Sequence, residues 1–118
     1  MTKNAFVRLA AVCLSLCWSS LVFASPTNTQ GTLGKVNVNG TGQVRVNFVA
    51  NTAMCSSGGS GGPTSIGEIV LAGANLEGAK AILSTLLAAK LAGRSVEIWA
   101  DNGAPGTYGC SIIAVTIL

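Results

Sequence analysis

Residues 75–101 read NLEGAKAILSTLLAAKLAGRSVEIWAD, and one change of period within them decides the fold. Leu76 to Ala92 is rich in Ala and Leu; Asn75 offers an N-cap, Glu77 lies in the first turn, Lys90 near the end, and Gly93 is the stop. Wound as a helix, the segment puts Ala79, Ile82, Leu83 and Leu86 in one stripe for a core. Ala81, Ser84, Thr85 and Ala88 cover the opposite side with small groups, which suits either plain solvent exposure or the close approach of another subunit. From Arg94 to Asp101 the period becomes two, with Val96, Ile98 and Ala100 on one face and Ser95, Glu97, Trp99 and Asp101 on the other. A helix thus runs straight into a half-buried strand that carries Trp99 on its polar face.

Upstream, Thr32 to Asn39 alternates around Val36 and Val38, Gly40-Thr41-Gly42 makes a turn, and Gln43 to Ala50 alternates with Val44, Val46 and Phe48 inward, which predicts a hairpin. Ile66 to Ala72 is a third strand, and residues 56–65, SSGGSGGPTS, read as a flexible loop that interrupts the domain. Ser25 to Gly31, with Pro26, reads as a short polar arm. Downstream, DNGAPG at 101–106 is turn-rich, and after Tyr108 and Cys110 a final strand runs from Ser111 to Leu118. That strand is apolar on both faces, so it is either central and covered twice or an edge buried by a neighbour. The order β-β-β-α-β-β predicts a mainly β domain with one helix, a small five-stranded OB-like barrel.

The N-terminus sets the compartment. Lys3 and Arg8 precede an apolar run from Leu9 to Val22, and Val22-Phe23-Ala24 supplies small-residue cleavage chemistry before Ser25. Residues 1–24 are therefore expected to be a cleavable signal peptide, leaving 25–118 as a single secreted or periplasmic domain. The run falls short of the roughly 20 residues a membrane span needs, and no later stretch supplies one. Cleavage removes Cys13, Cys17 and Trp18. It leaves Lys35, Arg45, Lys80, Lys90 and Arg94 against Glu68, Glu77, Glu97 and Asp101, which is nearly neutral and gives no basic, aromatic-studded patch for nucleic acid. Cys55 and Cys110 then read as a structural disulfide. The other reading, a metal or redox pair, lacks histidine ligands and C-x-x-C spacing.

The turn Gly40-Thr41-Gly42-Gln43, and the Ala-rich helix that ends in Gly93-Arg94-Ser95-Val96-Glu97-Ile98-Trp99, resemble the B subunits of AB5 toxins, in particular the subtilase-cytotoxin and pertussis-like group. The resemblance implies an exported OB-fold subunit that forms a ring, usually a pentamer, beside an enzymatic A subunit and binds host-surface glycans, often sialylated ones. Family sites use polar side chains of the N-terminal arm and first strand, where Asn28 and Thr32 fall, together with an aromatic from the strand after the helix. The position just after Trp99, aromatic in that family, is Ala100 here.

Side-chain chemistry read without kinship gives a second group. Sugars are held by aromatic faces and planar hydrogen-bonding groups, and Trp99, Asp101, Asn102 and Tyr108 supply both within ten residues. The alternative roles are packing ones, with Trp99 over an interface or the foot of the barrel and Tyr108 beside Cys110. Catalysis has little support: without histidine there is no Ser-His or Cys-His pair, and no close acid pair suits glycoside hydrolysis. The Gly/Ser run lacks the Gly-Lys-Ser/Thr ending of a phosphate loop, so neither metal nor cofactor is expected. Two function classes follow: an oligomeric, glycan-binding, non-catalytic subunit, or a structural protein whose apolar C-terminal strand pairs with a protein partner.

Overall fold

The computed structural model describes residues 26–59, 61–102 and 108–118. The expected signal peptide lies outside them. Five strands, β1 (Thr27–Val38), β2 (Gln43–Phe48), β3 (Gly67–Val70), β4 (Ser95–Asp101) and β5 (Cys110–Ile117), close into a ring in the order β1-β2-β3-β5-β4. The single helix among the described residues, α1 (Leu76–Leu91), joins β3 to β4. This is the five-stranded OB-like arrangement that the period changes predict.

The first strand departs from the sequence reading. Thr27 to Gly31, expected as an arm, belongs to β1 and pairs antiparallel with β4 from Thr27↔Ala100 to Thr32↔Ser95. Strand pairing is made by backbone groups, so a polar stretch can join a sheet without an apolar alternation to announce it. The second half of β1 leaves β4 and pairs with β2, through Val36↔Val46, Asn37↔Arg45 and Val38↔Val44. A bulge between Leu33 and Val36 separates the halves and bends the strand around the barrel.

The β1–β2 turn is built on Asn39. Its Oδ1 accepts from the backbone N–H of Thr41 (3.1 Å) and of Gln43 (2.9 Å), and Gly42 takes φ +80°, a value that L side chains rarely adopt. The helix ends as its sequence predicts. Gly93, at φ +64°, donates to the Lys90 carbonyl and Arg94 to that of Ala89, a Schellman closure. Asn75 occupies the N-cap position, but its side chain makes no capping bond.

Inward side chains from every strand form one core, with Phe48, Met54, Leu86 and Ile98 its largest fully buried members. Ala79 and Leu86 of the expected helical stripe are buried, Ala89 joins them, and Ile82 and Leu83 pack against the core from its margin. The Cys55–Cys110 disulfide, with Cα atoms 5.9 Å apart, ties the loop after β2 to the start of β5. Gly31 and Gly109 each permit a close approach: an added Cβ would come within 2.9 Å of the Phe48 ring at Gly31 and would run into the Ile66 carbonyl at Gly109. The Gly/Ser segment after Cys55 folds back on itself, Cys55 bridging to Thr64 and the Gly58 amide donating to Gly62.

β5 resolves the two readings of its apolar sequence. It pairs fully with β4 but with β3 only at Gly67↔Cys110 and Glu68↔Ser111, where the two strands run parallel. Beyond Ser111, β5 has no strand partner on that side among the described residues, and Ile113, Ile117 and Leu118 stay exposed. It is an edge over much of its length.

Candidate functional site

The outward residues of β4 form the first polar surface. Because β4 alternates, Ser95, Glu97, Trp99 and Asp101 point away from the core that holds Val96, Ile98 and Ala100. On one side β1 sets Thr32 opposite Ser95, Gln30 opposite Glu97 and Asn28 opposite Trp99. On the other, β5 sets Thr116 opposite Glu97 and Ala114 opposite Trp99. Glu97 is the hub: its Oε1 accepts from Asn28 Nδ2 at 2.6 Å and from Gln30 Nε2 at 3.2 Å. The hydroxyls of Thr32 and Ser95 lie 3.3 Å apart. Trp99 remains 38% exposed beside this network, and Ala114 opposite it is too small to cover an indole. An apolar plate flanked on its β1 side by amides and a carboxylate can hold the C–H face of a ring while bonding its hydroxyls.

Asn28, Thr32 and Trp99, far apart in the sequence, therefore share one face. Gln30 and Glu97 complete it. The alternation of β4 carried the signal for Glu97, two residues before Trp99, whereas Gln30 becomes visible only once β1 is paired with β4.

Asp101 and Asn102 extend from the end of that strand. Asp101 Oδ1 accepts from the Asn102 amide at 2.8 Å. Asn102 Oδ1 accepts from the Ser57 amide at 3.3 Å and the Ser56 hydroxyl at 3.4 Å. Asn102 thus ties the Gly/Ser segment to the end of β4, and its oxygen is occupied.

Tyr108 is on a different surface. Its ring lies 4.5 Å from the Arg45 guanidinium of β2, and its backbone N–H donates to Glu68 Oε2 at 3.1 Å. Tyr108 stands against β2 and β3 and Trp99 lies between β1 and β5, so nearness in sequence does not become nearness in space. Arg45 is held by two further contacts, Nε to Glu68 Oε1 at 2.8 Å and Nη2 to Gln43 Oε1 at 3.3 Å. Glu68 is the one charged residue buried among those described, and both of its oxygens are bonded. A buried carboxylate needs such partners, because an unpaired one would be strongly destabilising.

A groove of about 530 Å3 opens where β3 and β5 splay apart, between Val70, Ile113 and the first turns of α1. Its walls are mostly aliphatic, with Glu68, Asn75 and Ser111 as polar members. Among the described residues, no group of three or more His, Cys, Asp or Glu is placed to hold a metal ion. No family model, curated protein or solved structure matches the chain.

Proposed function

We propose that the chain is an exported, non-catalytic binding subunit that recognises carbohydrate on the outward β1–β4–β5 face and works as a homo-oligomer. The observation that carries this reading is the register, which sets the partly exposed Trp99 beside the hydrogen-bonded side chains of Asn28, Gln30 and Glu97. The buried Cys55–Cys110 disulfide agrees with an oxidising compartment, the periplasm or the cell exterior. The likeness to AB5 toxin B subunits makes a pentamer the expected assembly, a host glycan the expected ligand and an enzymatic A subunit the expected partner. A glycan array probed with residues 25–118 tests the ligand, and light scattering tests the ring. A monomer that binds no glycan would overturn the proposal.

A second reading rests on the open side of β5. The Leu118 amide donates to the Ser95 carbonyl, and antiparallel alternation then turns the backbone groups of Val115 and Ile117 away from β4. Those groups, which have no strand partner among the described residues, continue the edge that borders the aliphatic groove at Val70 and Ile113 and fit an extended, uncharged segment of a partner protein added as a strand. Replacing Ile117 by Pro blocks that pairing. Loss of a protein complex with glycan binding intact would favour this reading over the first.

A further inference from the structure

The bulge in β1 has an effect on chemistry as well as on shape. Before it the even-numbered residues Asn28, Gln30 and Thr32 face outward, and after it the odd-numbered Lys35 and Asn37 do, because Val36 packs against the core. An inserted residue reverses the parity of a strand. One strand therefore carries an unbroken exposed polar track, from the Trp99 face to the outer surface of β2.

At the far end of that track four side chains converge. Asn37 sits directly opposite Arg45, and Asn47 Oδ1 accepts from the Lys35 backbone N–H at 2.8 Å. That bond leaves the Asn47 amide hydrogens free to donate outward. Lys35, Asn37, Arg45 and Asn47 line a shallow groove of about 160 Å3 with Val46 and Ile66. Arg45 is fixed by Glu68, Gln43 and the Tyr108 ring, so little side-chain entropy remains to be lost on binding. Two of its five N–H donors are used by Glu68 and Gln43. Lys35 meets no acid among the described residues. Glu68, which balances Arg45, is buried behind it, so the surface presents a net positive charge at the groove. Tyr108, 60% exposed, holds the Arg45 guanidinium over its ring at the edge of this surface.

We infer that this groove is a second subsite, distinct from the Trp99 face, which binds an acidic sugar unit: a hydroxylated ring bearing one carboxylate or sulfate group. Lys35 and Arg45 contact the anion, and the amides of Asn37 and Asn47 bond ring hydroxyls. Two cations over so small a groove suit a single charged ring. They are too few for a nucleic acid, which needs a run of phosphate contacts. The inference rests on the carbohydrate reading above, which it extends along β1 from a neutral unit at Trp99 to an acidic one at Lys35.

The test is amide-shift mapping on isotope-labelled residues 25–118 with three probes: methyl β-glucoside, its uronic acid counterpart, and glucose 6-sulfate. One or both acidic probes are expected to shift the amides of Lys35, Asn37, Arg45, Asn47 and Tyr108 at millimolar concentration, and salt should weaken the effect. A response to the uronic acid alone assigns a carboxylated glycan, and one to the sulfate alone a sulfated glycan. Lys35→Gln, at an exposed side chain with no acidic partner among the described residues, should weaken acidic-probe binding about threefold. Neutral glucoside shifting these amides as strongly as the acidic probes would overturn the inference. So would acidic probes that leave them unmoved while the glucoside still binds at Trp99, and in that case the carbohydrate reading survives. If no probe moves either face, both fall.

Discussion

Removing the disulfide is the sharpest test of how this small barrel is stabilised. The crosslink joins residues 55 positions apart, and in the chain-entropy model closing a loop of that length is worth about 4 kcal/mol, through the states it denies the unfolded chain. A domain of this size has a total stability of only about 5–14 kcal/mol. The double variant Cys55→Ala, Cys110→Ala should therefore lose a third or more of its stability, and its melting temperature should fall by about 15–30 °C. Packing acts in the same direction, because both cysteines are buried in the core. The surrounding backbone bonds, including Cys110 N–H to the Ile66 carbonyl at 2.8 Å, persist in the variant and do not replace the lost constraint on the unfolded state. Urea unfolding followed by the fluorescence of Trp99, the one tryptophan in residues 25–118, measures the difference. A folded double variant that loses less than about 1 kcal/mol would refute the argument that loop closure dominates.

Trp99→Ala should abolish binding of the glycan found on the array while lowering the melting temperature by only a few degrees, since the ring is partly exposed; a large thermal loss would make Trp99 a packing residue. Gly109→Ala should destabilise by about 2 kcal/mol or more, because the new methyl meets the Ile66 carbonyl and separates β3 from β5; urea unfolding reads this directly. Gly93→Ala should cost about 1 kcal/mol by forcing an L side chain into the left-handed region, again by urea unfolding. Glu68→Ala should cost about 1–3 kcal/mol by removing the acceptor of Arg45 and of the Tyr108 amide, and Tyr108 amide exchange should accelerate.

The elements that the sequence displayed most clearly were those whose periodicity is local. α1 and β4 are legible in residues 75–101 because each repeats on its own side-chain period, and Gly93 marks the junction with a conformation that glycine adopts readily. The start of β1 was not legible. Thr27 to Gly31 has no apolar alternation, and only the edge of β4 makes it a strand. Grouping Tyr108 with Trp99 followed their spacing, whereas the barrel sends the two to different surfaces. Asn28, Thr32 and Trp99 do share a face, but Gln30, Arg45 and Glu68 had no periodic or motif signal to join them to a site.

By itself the sequence determined the order of elements, the cysteine pair available for a crosslink and the absence of any histidine for acid–base chemistry, because these depend on residue identity and short-range period. Only the tertiary structure decided which polar side chains share a face. A strand reverses its faces with each residue, so the pairing of β1 with β4 and one bulge between Leu33 and Val36 set which side chains come together. Neither is encoded in any local run of residues; both follow from closing five strands into one ring.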